Sequence, residues 1–148
     1  MEKRSDLEEV KKAVTGKDDT VKVALDTNML TAAEQFGFDV FAECRAMFGS
    51  RVRFFIPKAV LIEMEHIGKK NGKMRKATAV AEKIIEVNKE RGDVEVIDCR
   101  GKTADRGLIE LAGRGFVVAT NDKELRRKVK EKDGKVLLIR KKSILELE

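Results

Sequence analysis

Five short runs of β-prone, mostly apolar residues recur along the chain, at 21–26, 53–56, 94–97, 116–120 and 136–139. Between successive runs the apolar residues switch to helical spacing. Strands that alternate with helices cannot pair as hairpins, so they predict a mostly parallel sheet with right-handed crossovers. The helical segments are readable in turn. One spans about 28–35 and is broken by Gly37; Asp39 then caps a second, on which Phe41, Cys44 and Phe48 share a face up to Gly49. Pro57 opens a third, running to about Ile67. A long one follows over 74–89 with Ala77, Val80, Ala81, Ile84 and Val87 inward, and shorter ones occupy 102–113 and 122–131. The fold class is α/β. Residues 1–20 form a charged lead-in, with Ser5 and Glu8 spaced as a capping box and Leu7, Val10 and Val14 on one helical face; residues 21–148 form the domain.

The 148 residues suit one domain, and 42% hydrophobic residues suffice for a single core. No apolar run approaches the ~18 residues that span a bilayer, and Met1–Asp6 carries no signal-peptide core, so the expected setting is cytoplasmic, with no membrane partner. Two cysteines without a CxxC spacing and one histidine, His66, exclude a Cys/His zinc site. Charged residues reach 39% with a net +6, a balance that favours an anionic partner, nucleic acid first. With no Trp or Tyr, binding should lean on Lys and Arg contacts to phosphate more than on base stacking.

The run Val21–Leu25 ends abruptly in Asp26-Thr27-Asn28, at the carboxyl end of a central strand, where open α/β sheets place their ligands. Asp26 or Asn28 could equally cap the oncoming helix. Three further acids stand at comparable places. Glu63 falls within the apolar stripe Val60, Met64, Ile67; Asp105 precedes Leu108, Ile109 and Ala112; Asp122 heads the stripe of Leu125 and Val129. A carboxylate on a core-facing stripe is costly unless paired or bound to metal, and no Lys or Arg shares these stripes. Asp105 and Asp122 have another reading, as first-turn acids complementing a helix dipole; Glu63, in a second turn, does not. Four converging carboxylates would repel one another. A hard divalent cation, Mg²⁺ or Mn²⁺, resolves that repulsion, and with basic segments nearby the chemistry is that of a nuclease.

Leu25-Asp26-Thr27-Asn28, Pro57-x-x-Val60-x-x-Glu63, Thr103-x-Asp105 and Thr120-Asn121-Asp122-x-x-Leu125 resemble, in order, the acidic motifs of PIN domains. The resemblance covers roughly residues 21–140. It implies a five-stranded parallel sheet in the order 3-2-1-4-5 flanked by helices, and an endoribonuclease dependent on Mg²⁺ or Mn²⁺. It further implies that Asp26, Glu63, Asp105 and Asp122 are the metal ligands and catalytic residues, with Asn28 and Thr120 orienting ligands or water behind them. Two branches fit: a VapC-type toxin held inactive by an antitoxin protein, and an RNA-processing nuclease of the ribosomal-RNA kind. RNA is the partner in both, and a homodimer is compatible with either.

Other classes fit less well. A haloacid-dehalogenase phosphatase needs Asp-x-Asp, and position 28 is Asn; a receiver domain needs an acidic pair just before its phosphorylated Asp, and Asp18-Asp19 lies upstream of the first strand. The alternative from another class is a catalytically inactive PIN-like RNA-binding or assembly module. Among the basic segments, Arg126-Arg127-Lys128, Lys130 and Lys132 read as the solvated face of a helix, and Arg140-Lys141-Lys142 is uninformative alone. A loop at 69–73, with Lys69, Lys70, Lys73 and Lys76, is the better candidate for an RNA contact.

Overall fold

In the computed structural model, the structure describes residues 19–148. The lead-in helix expected over residues 1–20 falls almost wholly outside the described residues. The elements are β1 (Val21–Leu25), α1 (Thr27–Phe36), α2 (Val40–Phe48), a 3₁₀ turn (Gly49–Arg51), β2 (Val52–Pro57), α3 (Lys58–Lys70), α4 (Gly72–Glu90), β3 (Val94–Ile97), α5 (Ala104–Gly113), β4 (Val117–Ala119), α6 (Lys123–Glu131), β5 (Val136–Arg140) and β6 (Ile144–Leu147). They build one α/β domain around a sheet in the order β3-β2-β1-β4-β5-β6. The first five strands are parallel and sit in the expected order. The sixth, which the sequence reading did not include, adds antiparallel to β5 at the sheet's edge.

β1 and β4 are central and covered on both faces, so Val21, Val23, Ala24, Leu25, Val117, Val118 and Ala119 are all buried. On one stripe of α2, Phe41, Cys44 and Phe48 enter the core, and Phe41 meets Phe54 edge-on with ring centroids 4.7 Å apart. Asp39 caps α2 as its position suggested, accepting from Phe41 N and Ala42 N.

Two expectations fail here. The basic loop at 69–73 does not exist: α3 runs to Lys70 and α4 begins at Gly72. Asn71 alone joins them, its side chain accepting from Lys73 N as the cap of α4. The two helices then pack closely, and a Cβ on Gly68 would lie 2.4 Å from Thr78 Oγ1. Second, the inward face of α4 is Ala77, Thr78, Ala81, Ile85 and Asn88, while Val87 is 55% exposed. Two polar residues take core positions because both find partners. Asn88 donates to Ile84 O and accepts from Arg45, and Thr78 donates to Arg75 O.

Candidate active site

Each of the first four strands is followed by one of the four acids. Asp26 directly follows β1, Glu63 lies on α3 after β2, Asp105 on α5 after β3, and Asp122 just before α6 after β4. Parallel strands put all four at the same edge of the sheet. There they line one cleft of about 410 Å³, together with Thr27, Asn28, Thr31, Gln35, Ile67 and Met74. No lysine or arginine is among these residues, although the chain carries a net +6.

Asp26 is the most constrained of the four, at 5% exposure. Its backbone N donates to Ala119 O at 3.0 Å, tying it to β4. Asp26 Oδ1 accepts from Thr27 N at 2.8 Å, so it does cap α1, as the first of the two readings had it. Asp26 Oδ2 accepts from Thr120 Oγ1 at 2.6 Å and Asn28 Nδ2 at 3.0 Å. Thr120 Oγ1 in turn accepts from Asp122 N at 3.1 Å. Asn28 Oδ1 accepts from Asn121 N at 3.0 Å, and the Asn121 side chain brackets Ile139 by donating to its carbonyl and accepting from its N–H. Capping and site-building are therefore not exclusive: one oxygen caps α1 while the other is held by two side chains.

The remaining acids are held more loosely. Glu63 Oε1 accepts from Thr27 Oγ1 at 3.0 Å. Val60 and Met64 are buried but Glu63 itself is exposed, which corrects the expectation that it points with them into the core. It leans over the cleft from the stripe's margin instead. Asp122 Oδ1 caps α6 by accepting from Leu125 N. Asp105 is half-buried in the first turn of α5, behind the Thr103 cap, and takes no hydrogen bond from any described residue.

Burial pushes the Asp26 carboxyl above its ordinary value; the hydrogen bonds from Thr120 and Thr27 oppose this, and the charges of Asp105 and Asp122 add to it. Glu63 is also raised, by desolvation first and then by Asp26, Asp105 and Asp122 against the Thr27 hydrogen bond. The charges of Asp105 and Asp122 thus bear on both Asp26 and Glu63, and disfavour the ionised form of those two carboxyls. Their oxygens are the donor type that hard divalent cations take. Among the described residues, however, no three carboxylate, imidazole or thiol groups stand close enough to grip an ion together as placed.

Thr27 and Asn121 escaped the sequence reading as contributors. Thr27 bridges α1 to Glu63, and Asn121 ties the loop before α6 to β5. Their positions beside Asp26 and Asp122 were the only signal for them. Of the lysines named for RNA contact, Lys69 pairs with Glu65 at 2.9 Å and Lys76 with Glu34 at 3.5 Å. Lys70 and Lys73 have no ion-pair partner among the described residues, and none of the four lines the cleft.

The structure is a mostly parallel α/β sheet with four acids in one cleft at its carboxyl edge, and sequence comparison gives the class. The family described as PIN like domain matches residues 23–142, and the chain belongs to that family. Among solved structures, the PIN domain endonuclease Utp24 aligns with a TM-score of 0.66 at 23% identity, over 86% of this chain and 90% of that one. VapBC2 from Rickettsia felis, solved bound to a DNA fragment from their promoter, aligns at TM-score 0.49 and 14% identity, over 72% of this chain and 92% of that one. The first likeness is one of fold; the second is too distant to carry an argument. No curated protein matches the chain.

Proposed function

We propose that this protein is a metal-dependent endoribonuclease that hydrolyses RNA phosphodiester bonds in the acidic cleft. The observation that carries this reading is the cleft's one-sided lining: four carboxylates from four separate segments, and no cation, in a chain of net positive charge. Such an arrangement lowers stability unless a cation offsets the repulsion. Asp26, Glu63, Asp105 and Asp122 would hold Mg²⁺ or Mn²⁺, which supplies a Lewis acid for the phosphate oxygens. Thr120 and Asn28 fix the direction of the Asp26 carboxylate, and Thr27 steadies Glu63. Lys69, Lys70, Lys73 and Lys76, around the α3–α4 joint, would attract the RNA backbone from outside the cleft.

The same chemistry would serve a VapC-type toxin silenced by an antitoxin or an RNA-processing nuclease working in the cytoplasm. One observation favours a different reading, a PIN-like RNA-binding or assembly module without catalysis: no three of the acids are drawn to a common point. Incubation with total RNA, followed by mapping of the ends, separates the two. The nuclease reading expects new ends with Mg²⁺ or Mn²⁺, none in EDTA, and recovery when metal is restored. Binding without new ends in any metal selects the module, and undiminished cutting in EDTA overturns the mechanism.

A further inference from the structure

The turn between β5 and β6 is built from the wrong residues for its shape. Lys141 and Lys142 both adopt left-handed φ, +54° and +62°, and Ser143 N donates to Arg140 O across them at 3.2 Å. That is the φ signature of a type I′ turn, where Asn-Gly is the favoured pair because side chains disfavour positive φ. Strain of this kind persists where the surroundings over-determine it, and it marks functional segments often enough to be read as a pointer. Here the strand that leads into the turn is tied to the site. Ile139, two residues before the turn, is bracketed by Asn121, and Asn121 N donates to Asn28 beside Asp26.

The second observation is a ring. Of the seven phenylalanines, Phe36 is the exposed one, at 43%, and Lys142 Nζ stands 5.5 Å from its ring centroid. Phe36 closes α1 directly after Gln35, which lines the cleft and donates to Met74 Sδ at 3.3 Å. Asn28, Thr31 and Gln35 all line the cleft and recur at three- and four-residue spacing, so the cleft follows α1 from the acids as far as Gln35, the residue before Phe36. At 1.5 Å per residue the two ends of α1 are roughly 13 Å apart. An exposed aromatic ring beside two cations is how proteins hold the bases and backbone of a single strand.

We propose that Phe36 and the Lys141–Lys142 turn form a nucleotide-holding subsite, in which a base of single-stranded RNA stacks on Phe36 and the two ammonium groups meet the adjoining phosphates. The proposal rests on the nuclease reading for its substrate. It also revises the expectation from composition that base stacking would be minor.

The test is RNA binding in EDTA, which stops cleavage, with a short single-stranded oligoribonucleotide and a blunt duplex RNA as probes. Phe36→Ala should weaken single-strand binding roughly 5- to 100-fold and leave duplex binding unchanged. Changing Lys141→Asn and Lys142→Gly together keeps the turn while removing both charges. It should lower the slope of log K against log salt by up to ~1.4, at ~0.7 per contact. Because the chain has no tryptophan, Phe36→Trp installs a single reporter, and its emission should quench at saturating single-stranded RNA. Single-strand affinity unchanged in Phe36→Ala, with Phe36→Trp emission also unchanged, overturns the subsite while leaving the nuclease reading standing. A parent protein that binds neither probe overturns both.

Discussion

The two sides of the acidic cleft are built differently. On the β1–β4 side, the Asp26 carboxylate is buried and takes hydrogen bonds from Thr27 N, Asn28 and Thr120, and the loop carrying Asp122 is pinned to it through Thr120. On the α3–α5 side, Glu63 has a single hydrogen bond from Thr27, and Asp105 has none from any described residue. The first side is fixed by several hydrogen bonds, while the second has one. A site divided in this way can fix one ligand rigidly and leave its neighbours to close on a cation. The four acids share one cleft, and among the described residues no three of them meet at a point.

If the rigid side sets the chemistry, Asp26→Asn should show the largest effect, a loss of at least ~100-fold in RNA cleavage under Mg²⁺ or Mn²⁺. A variant that cuts RNA within a few-fold of the parent would show that the buried carboxylate is structural only.

Thr120→Val should come next. Thr120 is fully buried and its hydroxyl serves Asp26 Oδ2, Asp122 N and Asn28 Nδ2. Removing it should cost about 1–3 kcal/mol of stability, measured by denaturant unfolding in EDTA, because a buried carboxylate loses a donor. On the loose side, Thr27→Val should cost less, since the Thr27–Glu63 bond is only part-buried. Equal losses would erase the contrast between the two sides.

A smaller effect concerns pH. The Asp26 and Glu63 carboxyls titrate above their ordinary values of 3.8 and 4.5. Between those values and the raised ones, the folded state holds more protons than the unfolded state, so stability falls as pH rises through that window. In EDTA the melting temperature should therefore climb as pH is lowered through that window toward 4.5. With Mg²⁺ the slope should flatten or reverse, because a bound cation needs ionised carboxylates. The same slope in both conditions would separate the raised carboxyls from the cation.

Much of this architecture was legible because its signals are local. Val21–Leu25 ends in Asp-Thr-Asn within a few residues, and the positions of Gly37 and Asp39 fix where α1 stops and α2 starts. What escaped depends on tertiary partners. The spacing puts Val87 in the core and leaves Asn88 out of the inward face, yet Arg45 and the Ile84 carbonyl supply Asn88 with partners there. Asn71-Gly72 reads as a loop, yet a single residue suffices to join two helices when Gly68 lets α4 approach α3. β6 was missed because Lys141-Lys142 carries no turn signal at all, although both residues adopt positive φ. Glu63 was singled out through a core-facing stripe, and the structure shows it leaning over the cleft from that stripe's margin.

The claim that the acids act together as a cation site is tested most directly by melting curves of the parent and Glu63→Gln, each in EDTA and in ~10 mM Mg²⁺, taken as an excess over Kd. Gln keeps an oxygen for the Thr27 hydroxyl and removes one charge from the cleft. In EDTA the variant should melt at or above the parent, relieved of repulsion from Asp26, Asp105 and Asp122. Mg²⁺ should then stabilise the parent by about 1.4 kcal/mol at ten times Kd, and the variant clearly less. A variant that melts well below the parent in EDTA, yet gains as much from Mg²⁺, would make Glu63 a structural residue and contradict the shared site.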